Sequence, residues 1–382
     1  MFGITHSEES SLTDWYFKTD RRLLGWVLLL IFIGVLCTIS AGSVQAMRKG
    51  WPWYYFLKTM LPFYFVGISG LLISSMFNKK WVLRISWLNL AFGVLSLLWT
   101  VVASSAHHGS GRWADLGFVS FMPSDIMKPG LVMITAWFVA KMQQLYPVNT
   151  FLNKDAWRFS WFSWWTYLIP FMLILSIVFL HPDVGTSLLF VAVVGAILFV
   201  AGLPTFVIWP SLAGGACLGV IAFLFFSHVH ERVVAFLFEP LDPRTQLGAA
   251  ITTLRQGGLF GMRDEAFAKE GLADGHTDFI FASLTEDWGA IAACGLLLLI
   301  FLVIRRLMLA ATTARDRFVF YAICGTAAMF GVQSCINLAS TLGMMPPKGM
   351  TLPFISSGGS SFLGYCLLFG FILALIREDK WK

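Results

Sequence analysis

The residues best suited to chemistry lie in the stretch 272–289, LADGHTDFIFASLTEDWG, where a charged segment runs into an apolar one carrying Asp278, Glu286 and Asp287. A carboxylate facing hydrocarbon costs about 2.5 to 3.5 kcal/mol even on insertion scales, so an acid here needs a partner, water or a reaction to keep it. Asp278 stands at the start of the apolar run, where it can act as a general base towards a hydroxyl nucleophile. His276 and Thr277 are its expected orienting neighbours. Glu286 and Asp287 fall more than two helical turns further on and read as acids that hold a bundle together.

The elements that must position these residues follow from composition. The chain has 382 residues, 57% of them hydrophobic and only 13% charged, with a mean hydropathy of +0.74. Such a chain is an all-α integral membrane protein rather than a soluble domain. Ten apolar runs reach roughly the 20 residues that span a bilayer: 23–43, 55–77, 81–103, 126–143, 162–180, 184–203, 206–227, 278–304, 318–342 and 353–376. The first is too long for a signal-peptide core and is read as a span. Trp and Tyr around 51–55 and 157–165 mark interfacial anchoring, or short surface helices. The six cysteines all fall in predicted spans without ligand spacing, so neither a disulfide framework nor a zinc site is expected. The net charge of +6 is spread over loops and forms no single nucleic-acid patch.

Lys and Arg set the orientation. Lys18, Arg21, Arg22, Lys79, Lys80, Arg84, Lys141, Lys154, Arg158, Arg305, Arg306, Arg315, Arg317, Arg377, Lys380 and Lys382 gather on one side, predicted to be cytoplasmic. The expected organisation is a cytoplasmic segment 1–22, one polytopic membrane domain 23–376 with a large extracytoplasmic loop at 228–277, and a cytoplasmic end 377–382.

Other outer segments hold more than connection requires. In the first, Arg112 and Trp113 precede Pro123-Ser124-Asp125, with Lys128 one turn beyond Asp125. Ser124 can cap the fourth span, and Asp125 and Lys128 share a helical face. That loop reads equally as a capped helix with a snorkelling lysine and as part of a site. In HPDVGTS, Asp183 is either an N-cap or a site acid. Gly257, Gly258 and Gly261 beside Arg255 permit a tight turn, or an anion contact. ISSGGSS at 355–361 lacks the lysine spacing of a P-loop; with Pro346, Pro347 and Pro353 it describes irregular backbone, tolerated at membrane depth where it lines a cavity. Gln333 and Asn337, four apart, need partners inside the bundle.

The order RW…PSD…K, PD.GT, GGLFG, HTDFIF…E..G, Q…N and PPKGMTLPFISSGGSS resembles the SEDS family (shape, elongation, division, sporulation) of bacterial cell-wall proteins over nearly the whole chain, and its division branch more than its elongation branch. The resemblance implies a ten-span SEDS fold. It also implies a peptidoglycan glycosyltransferase that polymerises lipid II, the undecaprenyl-pyrophosphoryl disaccharide-pentapeptide, at the septum of the cytoplasmic (inner) membrane. The expected partners are a class B penicillin-binding protein (an FtsI-like transpeptidase) and other divisome membrane proteins. It places the catalytic acid on Asp278 and the loop tryptophan on Trp113, and brings Arg112, Lys128, Asp183, Lys348, Ser357 and Ser360 along as cavity residues. No resident cofactor is expected; a divalent cation, Mg or Mn, is an optional neutraliser of the leaving pyrophosphate. The chain departs from the family pattern at Leu272-Ala273-Asp274, Asp125, Ser357 and Ala339, which leaves room for a divergent paralogue. The alternatives are a lipid II flippase and a non-catalytic divisome scaffold.

Overall fold

The computed structural model describes residues 11–104, 113–115, 117, 120–147, 150–181, 183–225, 227–238, 242, 244–261, 271–272, 274–347 and 349–380. Fifteen helices are found among them, with one two-residue hairpin pairing β1 (Ala114–Asp115) and β2 (Ser120–Phe121). Helices stand at all ten predicted spans: α2 (Arg21–Arg48), α3 (Tyr55–Ser74), α4 (Lys79–Ser104), α6 (Lys128–Leu145), α8 (Trp164–Leu180), α9 (Val184–Val200), α10 (Thr205–Phe225), α13 (Ile280–Thr312), α14 (Arg317–Thr341) and α15 (Gly359–Lys380). Seven of these are long and apolar enough to cross a membrane on their own. α8 and α9, at 17 residues, reach about 26 Å, and α6 has 18. The protein is a multi-pass, all-α membrane protein.

Polar side chains start several of these helices. Asp20 accepts from the amide of Leu23, Asp183 from Thr186 and Asp316 from Phe318, each satisfying a donor that the first turn leaves bare. Short or amphipathic pieces occupy the connections: α1 (Ser11–Lys18), α5 (Pro123–Ile126), α7 (Lys154–Trp157), α11 (Ser227–Phe238) and α12 (Gln246–Gln256). α7 ends at Trp157, where one of the two Trp-rich segments begins.

The bundle centres on α14 and α15, its most buried spans. α15 packs along α3, while α14 packs on α6, α9 and α13, and α13 on α2. Large apolar side chains such as Phe65, Trp99 and Phe206 remain on the outside, as expected where lipid rather than water is the solvent.

Three expectations are corrected. The fourth span does not start on a Ser124 cap: Met122 is the N-cap of α5 and makes no side-chain bond, and the helix resets at Met127 before α6. The eighth span does not start at Asp278, because α13 begins at Ile280. It is also broken at Gly289, whose φ of 79° and ψ of 174° are not helical. The loop after α12 fills that break: Ala290 donates to the carbonyl of Gly258 (2.9 Å) and Ile291 to that of Leu259 (3.3 Å). Gly257, Gly261 and Gly289 have no room for a Cβ against the facing backbone. The glycine cluster is therefore a docking surface for backbone, and Arg255 beside it is exposed.

Ahead of α15, residues 351–358 run irregularly through the protein. Phe354 takes a φ of 65°, uncommon for a bulky residue, and its carbonyl lies where a Cβ on Gly34 would stand. Gly34→Val is expected to cost about 1–3 kcal/mol through overpacking, read as a lower unfolding temperature in detergent. Gly25→Val on the same helix, where nothing lies within 4 Å of the added Cβ, should leave it unchanged. Equal unfolding temperatures for the two variants would contradict this packing.

Candidate functional site

Three consecutive carbonyls of the turn that carries Asp278 are held by hydrogen bonds from two other elements. The amide of Ser357 donates to His276 O (3.0 Å), the hydroxyl of Ser356 to Thr277 O (2.6 Å), and the side-chain amide of Asn337 to Asp278 O (2.8 Å). Within the turn, the amides of Thr277 and Phe279 both donate to Asp274 O. Phe279 caps α13 without a side-chain bond, so Asp278 projects from a fixed turn two residues before the helix. Its side chain is half-buried. Gly349, at φ 63°, lies so close that a Cβ there would stand 3.4 Å from Asp278 Oδ2.

His276 and Thr277 orient Asp278 through their backbone. The His276 ring instead packs on Phe56, with centroids 4.2 Å apart, and its Nδ1 is buried with no hydrogen-bond partner. Burial pulls the imidazole down to about 4; Asp274 opposes that shift and Lys49 adds to it. His276 is accordingly neutral at pH 7 and supplies no positive charge. Ser357 completes the frame, its hydroxyl lying 2.9 Å from Thr38 Oγ1, which is 2.8 Å from Tyr64 Oη.

Asn337 also donates to Met350 O (2.6 Å), and its Oδ1 is buried without a partner. One turn away on the same helix, Gln333 donates to Thr351 O (2.8 Å). The pair thus bridges α14 to two successive carbonyls of the irregular segment.

Gln333 leads into a second polar cluster. Its Oε1 accepts from Lys128 Nζ (2.6 Å) and from the hydroxyl of Tyr365 (2.8 Å). Lys128 also pairs with Asp125 (2.6 Å), whose other oxygen accepts from Ser360 (3.3 Å). Lys128 is 1% exposed, so the snorkelling reading is corrected. Its charge is met inside the protein, and removing one partner of such a buried pair strands the other at a cost of about 3–5 kcal/mol.

The other expected site residues are scattered. Asp183 is buried as the N-cap of α9, with Oδ1 on the Thr186 amide (3.2 Å) and Oδ2 without a partner. Trp113 is 51% exposed beside the small hairpin. Arg112 and Lys348 lie outside the described residues. Glu286 is fully buried and Asp287 accepts from Ser40 on α2, which fits the architectural role expected of both. Among the described residues, no group of three His, Cys, Asp or Glu side chains is placed to hold a metal ion.

Sequence reasoning missed Lys49, whose charge reaches His276 from the exposed C-cap of α2. It also missed Ser356 as a carbonyl clamp. Neither carries a local signal, since each acquires its role only when segments far apart in the chain meet.

The depressed His276 gives a pH dependence. Between about 6.5 and 4 the unfolded chain takes up a proton that the folded protein refuses, so stability falls as pH falls through this window. Wild-type unfolding temperature should drop across it and that of His276→Gln should drop less. Stability should show no His276 dependence between pH 7 and 8, and no activity should show a His276 titration between pH 6 and 8; an activity inflection near 6.5 that the substitution removes would contradict its burial.

The comparisons with known proteins bear on the family and the fold. The family model described as "Cell cycle protein", which groups FtsW, RodA and SpoVE, matches residues 21–381. A Caulobacter vibrioides protein named "Probable peptidoglycan glycosyltransferase FtsW" is 31% identical over 380 residues, covering 98% of this chain and 94% of its own. The like-named protein of Trichlorobacter lovleyi is 29% identical, covering 93% and 92%. For the fold, the crystal structure of the rod shape determining protein RodA of Thermus thermophilus superposes with a TM-score of 0.65 at 24% identity, covering 95% of this chain and 98% of that one. A chain from a peptidoglycan synthase complex superposes with a TM-score of 0.72 at 24% identity, covering 95% and 99%. With the family model matched along nearly its whole length and a relative above 30% identity, this chain belongs to the cell cycle protein family of FtsW, RodA and SpoVE, the SEDS proteins, and is most like FtsW.

Proposed function

We propose that this protein is a peptidoglycan glycosyltransferase that polymerises lipid II into glycan strands, with Asp278 as general base. The observation that carries the reading is the turn 276–278, whose carbonyls are all engaged while the Asp278 side chain projects half-buried beside Gly349. Asp278 takes the proton of the acceptor sugar's 4-hydroxyl. The oxygen bonds to the anomeric carbon of the donor, the bond from that carbon to the phosphate oxygen breaks, and undecaprenyl pyrophosphate departs. One carboxylate suffices for such an inverting transfer when cations neutralise the leaving group.

Lys49 is a described cation whose charge reaches this turn at His276; Arg112 and Lys348, outside the described residues, complete the proposed set. Lys128 and Ser360, tied to Asp125 and Gln333, shape the wall beneath rather than hold pyrophosphate. Among the described residues, no group of three His, Cys, Asp or Glu side chains is placed as a resident metal site. A Mg or Mn ion, if recruited with the substrate, would supply positive charge for the leaving pyrophosphate, and Asp278 is the carboxylate of this turn available to it.

The enzyme works at the septum in the cytoplasmic membrane, both termini inside, with a class B penicillin-binding protein that cross-links the product and with other divisome membrane proteins. The membrane domain covers 23–376, with 228–277 outside. A flippase would use the deep acids along a path, whereas Glu286 is buried and Asp287 is bound to Ser40.

The test is polymerisation of lipid II by the purified protein with its penicillin-binding partner. Asp278→Asn should lower the rate by about 10²–10⁴-fold while the complex still forms. Full polymerisation by the variant would remove Asp278 as base. Translocation of lipid II across liposomes without polymer would favour the flippase.

A further inference from the structure

Two adjoining cavities open at the Lys- and Arg-rich ends of the spans, remote in sequence from the Asp278 turn. One, of about 350 Å³, lies between α13, α14 and α15. The other, of about 180 Å³, lies against the start of α2. They share Asp20, Arg306, Ile376 and Lys380. Nothing in the proposed transferase chemistry uses them.

Their charge is unbalanced. Six cations line the pair (Lys18, Arg21, Arg22, Arg306, Arg315 and Lys380) against two acids, Asp20 and Asp379. Both acids are already committed. Asp20 caps α2 and pairs with Arg306 at 2.6 Å, and Asp379 accepts from the backbone amides of Arg315 (2.8 Å) and Asp316 (3.0 Å). Lys18 is met by Asp14, and the Arg21 guanidinium lies over Tyr16. Arg22, Arg315 and Lys380 make no ion pair among the described residues, and the last two share the larger cavity. The same cavity has apolar lining, from Leu309, Val319 and Ile376 among others. A surplus of positive charge beside apolar side chains, at the end of transmembrane helices, is complementary to an anionic amphiphile. Basic pockets between spans at the cytoplasmic surface take the head groups of acidic lipids.

We infer that this pair of cavities binds the phosphate head group of an anionic phospholipid of the cytoplasmic leaflet, with Arg315 and Lys380 meeting the phosphate and Leu309 and Val319 meeting the glycerol and upper acyl region. The site joins the start of α2, the α13–α14 connection and the end of α15 through one ligand.

A photoactivatable phosphatidylglycerol in nanodiscs, with the full-length protein and mapping of the labelled peptides, tests this. Label should appear in residues 306–323 and 376–380 and be competed by unlabelled phosphatidylglycerol, but not by phosphatidylcholine or by soluble glycerol 3-phosphate. Each removed charge should weaken binding about fivefold, so Arg315→Gln with Lys380→Gln should lose about 25-fold, and Arg315→Lys with Lys380→Arg should restore it. Competition by glycerol 3-phosphate as strong as by the lipid would identify a soluble anion and overturn the lipid assignment. Equal labelling by phosphatidylcholine, or labelling indifferent to the double substitution in protein whose unfolding temperature is unchanged, would overturn the site. Retained lipid II polymerisation by these variants keeps this outcome separate from the transferase assignment.

Discussion

Everything in this protein that bears on chemistry depends on one backbone constraint: the carbonyls of residues 276–278 cannot be left bare. They precede the first turn of α13 and have no helical partners of their own. An unpaired buried carbonyl costs about 1–3 kcal/mol. Ser357, Ser356 and Asn337 meet them in turn, and each donor comes from a segment with its own reason to be there. The strained Phe354 turn delivers the two serines, and a strain of about 1–3 kcal/mol is held by its ring packed among Phe330, Phe362, Tyr365 and Phe369. α14 delivers Asn337. Under the proposed chemistry, a carboxylate on such a turn would be aimed before substrate arrives, which is what would let a single aspartate serve as base.

The same helix joins the turn to the buried Lys128 cluster. Gln333 and Asn337, one turn apart, hold successive carbonyls at 351 and 350. Gln333 also accepts from Lys128 and Tyr365. The fully buried lysine is therefore a structural strut whose charge fixes α6 against α14 and α15. On the other flank, the helical piece 280–288 is bounded by the Gly289 break, into which the loop after α12 fits. Ala249, Ala250, Leu272, Phe279 and Ala282 form a small apolar cluster, so α12 and the turn that carries Asp278 share one packing unit.

Hydropathy alone made the ten spans legible, because the length of an apolar run is dictated by bilayer thickness. The partnering of Asp125 with Lys128 and the shared face of Gln333 and Asn337 were legible too, since helical spacing decides both. The N-cap was one of two readings open for Asp183, from its place before a glycine-containing apolar run, and it is the one the structure shows. The breaks were not legible. Gly289 sits in a run that reads as continuous helix, and its positive φ exists only because the chain 30 residues earlier fills the gap. Ser124 has the composition of a cap, but Pro123 takes the first helical position and moves the cap to Met122. Lys128 reads evenly as a snorkelling cation or a site residue, because sequence does not reveal that Gln333 and Tyr365 wait for it inside.

The central claim is that a pinned turn aims Asp278 at the acceptor hydroxyl. The most direct measurement is an experimental structure of the protein with its penicillin-binding partner and an unreactive lipid II analogue in the acceptor position. The account predicts an Asp278 carboxylate oxygen within about 3.2 Å of the acceptor 4-hydroxyl, with the carbonyls of 276, 277 and 278 still bonded to Ser357, Ser356 and Asn337. An acceptor hydroxyl held by another side chain, with Asp278 turned away or the three carbonyls released, would contradict it.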